Sequence, residues 1–399
     1  MYAPLGLSPL KSGSGKSITL ADGAQNLIRS GYAPMVARQL YRCLRRSVPK
    51  RRAELVKVVL SRRPYTPHPM LDVEICPEIL EVAVEKLSRI GGSSAPRSLD
   101  EWTIVRHKRE RSTVYRLTDS NSDTTLFYKV LSSTRYRHSD SLSNRLNRTE
   151  SLTDRLLDVT SGTSVSPAPV LAADAHRRTL VTLGVEGREI RGGILRGLLP
   201  GQTLSSRQAA LIGQGCAHIE RCSEDEEVIF DLERFTRQVE KRLIRAQTDR
   251  RAKDHVRSQL DEAASDLLAR QIPVYIHGDL SPTNIIVSGP SVYLIDFSWF
   301  SGFPGYDLGL FSYRLRAMDK ILWGRGPRLR KSLMTAYRSA SGSRYESLSL
   351  KLVNLFLLVR GLGSPWPKMR VLAQGALDRV ISDPWEDEGD FQWWWENTK

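Results

Sequence analysis

Hydrophobic positions change their period twice along the chain, and each change marks a structural boundary. From Leu20 to about Leu60 apolar residues recur at helical spacing, at Leu27, Ile28, Val36, Leu40, Leu44 and Val56. Glu78 to Ile90 reads as a further helix, closed by a Gly91-Gly92-Ser93-Ser94-Ala95-Pro96 linker. The period then becomes that of strands. Trp102–His107, Ser112–Thr118 and Thr125–Leu131 are short, rich in Val, Thr, Tyr and Phe, and separated by polar turns, as in an antiparallel meander. A helix over Leu142–Asp158 follows, then strands over Arg178–Leu183 and Ile190–Leu198. Beyond Pro200-Gly201 the helical period dominates, through Ser206–Cys222, Leu232–Thr248 and Arg251–Arg270. A sheet-rich half before a helix-rich half predicts an α+β chain of two lobes. The expected division is a Gly/Ser/Pro-rich leader (1–18), a basic helical region (19–96), a sheet lobe (97–199) and a helical lobe (200–399).

Charge alters this picture in one respect. The 399 residues carry 59 Lys and Arg against 44 Asp and Glu, a net charge of +15. Arg38, Arg42, Arg45, Arg46, Arg51 and Arg52 interleave with the apolar positions of the first helical region. That region either packs its apolar stripe on the lobes with its arginines in water, or lies on an anionic surface. No specific recognition of nucleic acid is expected. Cys43, Cys76, Cys216 and Cys222 form no C-x-x-C pair, which argues against a zinc site or a disulfide framework and fits a reducing cytoplasm. There is no basic segment leading an apolar core at the N-terminus, and no apolar run nears the roughly 18 residues that cross a bilayer. A cytoplasmic location with at most peripheral membrane contact is expected. Gly15-Lys16-Ser17 ends like a phosphate loop, but Leu10 stands where the first glycine belongs and no predicted strand precedes it.

The densest chemistry lies in Val274-Tyr275-Ile276-His277-Gly278-Asp279-Leu280-Ser281-Pro282-Thr283-Asn284-Ile285-Ile286-Val287, followed by Val292-Tyr293-Leu294-Ile295-Asp296-Phe297. Apolar strands flank polar turns, which brings Asp279, Asn284 and Asp296 to neighbouring strand ends. Three oxygen-bearing side chains so placed suit Mg2+ held against the phosphates of a nucleotide. His277, with no second histidine nearby, is a weak transition-metal candidate.

His-Gly-Asp-Leu-x-x-x-Asn with Ile-Asp-Phe about a dozen residues later resembles the aminoglycoside phosphotransferase and choline kinase branch of the protein-kinase-like superfamily. His-Gly-Asp and Asp-Phe-Ser here, against His-Arg-Asp and Asp-Phe-Gly in protein kinases, favour the small-molecule branch. The resemblance spans roughly 100–380 and is closest over 274–309. It implies a bilobal kinase-like fold with an antiparallel-sheet N-lobe and a helical C-lobe; the N-terminal helical extension is read from the apolar period alone, and residues 1–96 carry no resemblance. It also implies ATP and Mg2+, and a hydroxyl acceptor on a small molecule or saccharide. Asp279 would take or orient the acceptor proton, Asn284 and Asp296 would hold metal, and His277 and Asp307 would have structural roles. Asp307, in Gly305-Tyr306-Asp307-Leu308-Gly309, would brace the catalytic loop or cap the helix at Leu308.

Upstream, the resemblance makes Lys129 the candidate phosphate lysine. Its acidic partner is expected on the following helix, where Leu142, Leu146, Glu150, Thr153 and Leu157 share a face; this favours Glu150 over Asp154. Ser112 and Thr113 would touch nucleotide at the end of the phosphate-covering loop. That loop, Lys108 to Arg111, has no glycine, so Arg109 and Arg111 would contact phosphate or simply face water. Arg196, Gly197 and Leu198, before Pro200-Gly201, occupy the place of the adenine hinge. The tail from Asp383, with Trp385, Trp393, Trp394, Trp395 and six acidic side chains, would dock on the C-lobe or face a ligand or membrane. Two other readings stay open: a kinase for a saccharide lipid or protein at a membrane surface, and a nucleotide-binding pseudokinase scaffold, which the glycine-free loop favours.

Overall fold

A computed structural model describes residues 75–91, 99–108, 112–119, 121–122, 124–131, 139–190, 204–224, 226–246, 249–270, 272–317, 325–342, 347–364 and 367–382, with two short strands, β1 (Leu10–Lys11) and β2 (Ser17–Ile18). The N-lobe is built on five antiparallel strands: β3 (Trp102–Lys108), β4 (Ser112–Asp119), β5 (Thr125–Leu131), β7 (Val170–Asp174) and β8 (Thr179–Leu183). Their spatial order is β3-β4-β5-β8-β7. Alternation along β5 sends Leu126 and Tyr128 to one face and Lys129 and Leu131 toward the other.

Each face carries a helix. α1 (Pro77–Gly91) buries Ile79, Leu80, Ala83, Val84 and Leu87 in one core with Trp102, Tyr115, Leu117, Leu126, Tyr128 and Val181. The helix that sequence groups with the basic region therefore shares its apolar interior with the sheet. On the other face, α2 (Ser139–Val159) sets Leu146 against Leu131, Val170 and Leu180. Both helices pack on the edge strand β7.

The C-lobe begins with α3 (Ser206–Arg221), whose start is fixed by a capping box between Ser205 and Gln208. α4 (Leu232–Arg245) is capped by Asp231 and α5 (Arg250–Ala269) by Asp249. Next come β10 (Val274–Ile276), the hairpin β11 (Ile285–Ser288) and β12 (Ser291–Leu294), and β13 (Phe300–Gly302). β10 pairs with β13. The β11–β12 hairpin joins β6 (Val165–Pro167), parallel to β12, and β9 (Arg188–Glu189) in a four-stranded sheet. The expected strand over Ile190–Leu198 is not continuous with β9, which ends at Glu189; residues 191–203 lie outside the described ones. Helices α6 (Tyr306–Ala317), α7 (Gly326–Ser341), α8 (Ser347–Leu362) and α9 (Pro367–Ser382) complete the lobe around one large core. The architecture is the expected α+β bilobal kinase-like fold. The leader, the 19–74 segment and the tryptophan-rich tail lie outside the described residues, apart from β1 and β2.

Candidate active site

Three buried residues of β10 deliver the chain to His277, which has no exposed surface. Its Nε2 lies 2.9 Å from the carbonyl of Ile295, and because a carbonyl only accepts, the ring proton sits on Nε2. Nδ1 then accepts from the Asp279 N–H at 3.4 Å. Burial pushes the imidazole down to about 4, so it is a neutral strut. The ring stacks on Phe297 at 4.4 Å, Phe297 stacks on Trp299 at 4.8 Å, and the Trp299 indole donates to Thr153 of α2 at 3.3 Å. This aromatic run joins the turn that carries Asp279 to α2.

Asp307, in the first turn of α6, accepts from the backbone N–H of His277 at 2.5 Å and of Gly278 at 3.0 Å. Burial pushes its carboxyl up to about 7, against these two bonds and Arg314, which favour the anion. Its carboxylate thus braces the loop. Gly278 sits at φ +78°, and a Cβ there would meet the Phe300 ring at 2.5 Å, so both conformation and space require glycine.

The turn presents Asp279, whose side chain is more than half exposed. Arg314 of α6 holds it, with Nη2 2.7 Å from Oδ1 and Nη1 donating to the Leu280 carbonyl at 2.5 Å. Asn284, nearly buried, donates from Nδ2 to the Asp279 carbonyl at 3.0 Å. This leaves Oδ1 as its acceptor, touched by the Thr283 hydroxyl at 3.3 Å. The Ile295 N–H bonds to the Asn284 carbonyl at 3.0 Å, so the hairpin sets Asn284 beside Asp296. Asp296 adopts φ 64°, a left-handed conformation aspartate tolerates, and Lys129 Nζ lies 2.5 Å from its Oδ1. Lys129 thereby links β5 to the loop of the opposite lobe.

The expected Lys129–Glu150 pair is not formed. Glu150 accepts from Lys86 of α1 at 2.8 Å, and so does Asp154, at 2.8 and 3.1 Å. Leu146, Thr149, Leu152, Thr153 and Leu156 fill the buried face of α2, which leaves Glu150 and Asp154 together on its flank, where α1 reaches them. Asp154, expected to point elsewhere, shares the same cation. Ser112 is buried and Thr113 half-buried at the start of β4, paired with Leu131 and Val130. Arg109, Arg111, Arg196, Gly197 and Leu198 lie outside the described residues.

Arg314 is the residue that sequence reasoning missed. Its signal was the seven-residue spacing from Asp307, two turns of one helix, which puts both on the side facing the loop.

A model of the phosphotransferase enzyme family matches residues 102–348, more than half of the chain and all of the machinery above except Lys86. The chain belongs to this phosphotransferase family. The match agrees with the phosphotransferase resemblance read from His277 to Asp296. No curated protein sequence matches the phosphotransferase. Among solved structures it is similar to a choline/ethanolamine kinase family protein from Mesorhizobium loti, at 16% identity over 76% of this chain and 88% of that one, TM-score 0.43. It is similar also to a putative aminoglycoside phosphotransferase from Ralstonia eutropha, at 15% identity over 75% and 89%, TM-score 0.44. A putative fructosamine-3-kinase from Thermobifida fusca shares 17% identity over 74% and 98%, TM-score 0.41. No helix among the described residues is long and apolar enough to cross a membrane.

Proposed function

We propose that this phosphotransferase moves the γ-phosphoryl group of ATP to a hydroxyl of a small molecule or saccharide. The observation that carries the reading is the convergence of Asp279, Asn284 and Asp296 on adjoining turns, with Lys129 reaching Asp296 across the lobes.

The donor set fits magnesium. Asn284 Oδ1 and the Asp296 carboxylate are hard oxygens at the end of one hairpin, and no group of three acidic, histidine or cysteine ligands occurs among the described residues. Two protein ligands suit an ion that keeps waters and takes its remaining bonds from phosphate. When bound, Mg2+ neutralises charge gathered on the phosphate oxygens.

The chain's own residues supply position and proton transfer. Arg314 fixes the Asp279 carboxylate from one side, and His277 and Asp307 fix the backbone beneath it. The acceptor hydroxyl gives its proton to Asp279 while its oxygen bonds to the γ-phosphorus and the bridging bond to ADP breaks. Lys129 serves the nucleotide phosphates once it leaves Asp296. In this reading Ser112 and Thr113 border the phosphates, and Arg196 to Leu198 meet adenine.

One observation favours the pseudokinase alternative. Glu150, the expected partner of Lys129, is held by Lys86 instead, so the pair expected to order Lys129 for phosphate is not formed. A single experiment separates the readings: magnesium-dependent ATP binding and hydrolysis by the full chain, Asp279→Ala and Asp296→Ala. Turnover by the wild type that both variants lose supports the kinase. Binding without turnover supports the scaffold, and absence of nucleotide binding sinks both.

A further inference from the structure

α4 runs from the catalytic loop into the C-lobe, and its charges are unevenly satisfied. Its two glutamates are committed, Glu233 to Arg237 at 3.1 Å and Glu240 to Arg257 at 2.9 Å, while Asp231 caps its first turn. Arg234 and Arg242, two turns apart on one face, form no ion pair with a described residue. Each lies on an aromatic ring instead. Arg234 sits over Phe300, 4.4 Å from its centroid, and the same ring contacts Gly278, next to Asp279. One ring therefore separates this exposed guanidinium from the catalytic loop.

Arg242 sits over Phe356 of α8 at 4.9 Å. Arg360 follows Phe356 by four residues and so lies on the same face of α8, one turn further. The ends of the two helices are in contact, since a Cβ on Gly363 would touch the Arg242 carbonyl at 3.4 Å. Two half-buried guanidinium groups are thus side by side. Burial, then the charge of Arg360, push Arg242 down to about 10, and among the described residues the other groups acting on it are Tyr306, Tyr313 and Arg245, with no carboxylate. Holding like charges together in a partly dry site is unfavourable without an anion between them.

We propose that the acceptor carries a carboxylate or phosphate, that Arg242 and Arg360 bind this group, and that Arg234 guides it at the catalytic-loop end of α4. The inference rests on the hydroxyl-kinase reading and narrows its substrate class. Eight residues of helix separate Arg234 from Arg242, about 12 Å, so the acceptor is extended: an anionic group at one end, the reacting hydroxyl at the other. The same stripe of arginines repels polycationic acceptors.

The test uses the full chain with magnesium and a non-hydrolysable ATP analogue, whose affinity is measured first. Inorganic phosphate and gluconate are then titrated by calorimetry at constant ionic strength, on wild type, Arg242→Met and Arg360→Met. The melting temperature reports folding, and Arg242→Lys is a further variant that keeps the charge. Saturable binding of either anion is expected, weakened at least about tenfold in each methionine variant, the loss of one charge-assisted bond, with nucleotide affinity unchanged. Which anion binds distinguishes phosphate from carboxylate. Three results overturn the proposal: no saturable binding of either anion up to about 20 mM; equal affinity in wild type and both variants; or binding that appears only after Glu386, Asp387 and Glu388 are made neutral, which assigns the arginines to the chain's own tail. Lost nucleotide affinity in the wild type would instead undo the kinase reading, and the anion titration reads independently of it.

Discussion

His277 and Asp307 hold the same turn and titrate in opposite directions. The buried imidazole ionises at about 4 in the fold and at its ordinary 6.5 when unfolded. Its contribution to stability is complete above pH 6.5 and is lost as pH falls from 6.5 to 4, by about 3 kcal/mol. Asp307, raised to about 7 from 3.8, contributes most below pH 3.8, and that contribution fades as pH rises toward 7. Urea unfolding of His277→Gln across pH 4–7 is expected to lack the acid-side loss, so its stability relative to wild type improves as pH falls; a pH-independent difference would show that His277 is not buried neutral. Arg314 acts on geometry. Arg314→Met leaves Asp279 free to rotate, and kcat is expected to fall about 10- to 100-fold with the KM for ATP within about twofold. Arg314→Lys restores part of this because it keeps one donor. A rise in KM alone would make Arg314 a nucleotide ligand rather than a positioning residue.

At the scale of elements, α1 is fastened to α2 through one lysine with two acceptors. Lys86 is mostly buried, and although burial works against its charge, the bonds from Asp154 and Glu150 raise its pKa overall. The carboxylates are more than a third exposed, so the network is worth about 1 kcal/mol. Lys86→Met and Glu150→Gln are each expected to destabilise by about that amount, and the double variant by little more than either. Additive losses in urea melts would mean that the two residues act separately. This bridge was illegible in the sequence, because Lys86 and Glu150 meet only after β7 brings both helices to one sheet edge. The grouping of the candidate site residues was legible for the opposite reason. Asp279, Asn284 and Asp296 lie within 18 residues, and two short apolar strands bring them together through local pairing. Glu150 shows the limit of helical periodicity: it locates the flank of α2 but cannot name the cation that arrives there.

Across the whole molecule, charge is segregated. Residues 1–74 hold thirteen lysines and arginines against four aspartates and glutamates, so most of the +15 belongs to the part of the chain before α1. The phosphotransferase lobes carry a smaller excess, which includes Lys129 and Arg314 beside the candidate site and the arginines of α4. By charge, the N-terminal residues would be attracted to an anionic surface most strongly. Attraction to an acidic bilayer is worth about 1 kcal/mol per basic residue close to it and fades within a Debye length, about 8 Å at physiological salt. The full chain is expected to sediment with phosphatidylserine vesicles at low salt and to release as salt rises. Replacing Arg45, Arg46, Arg51 and Arg52 together by glutamine should remove about 3 to 4 kcal/mol, several hundredfold in affinity. If those arginines serve packing instead, the fourfold variant loses melting temperature while vesicle binding persists, and the anionic surface must then engage the lobes themselves.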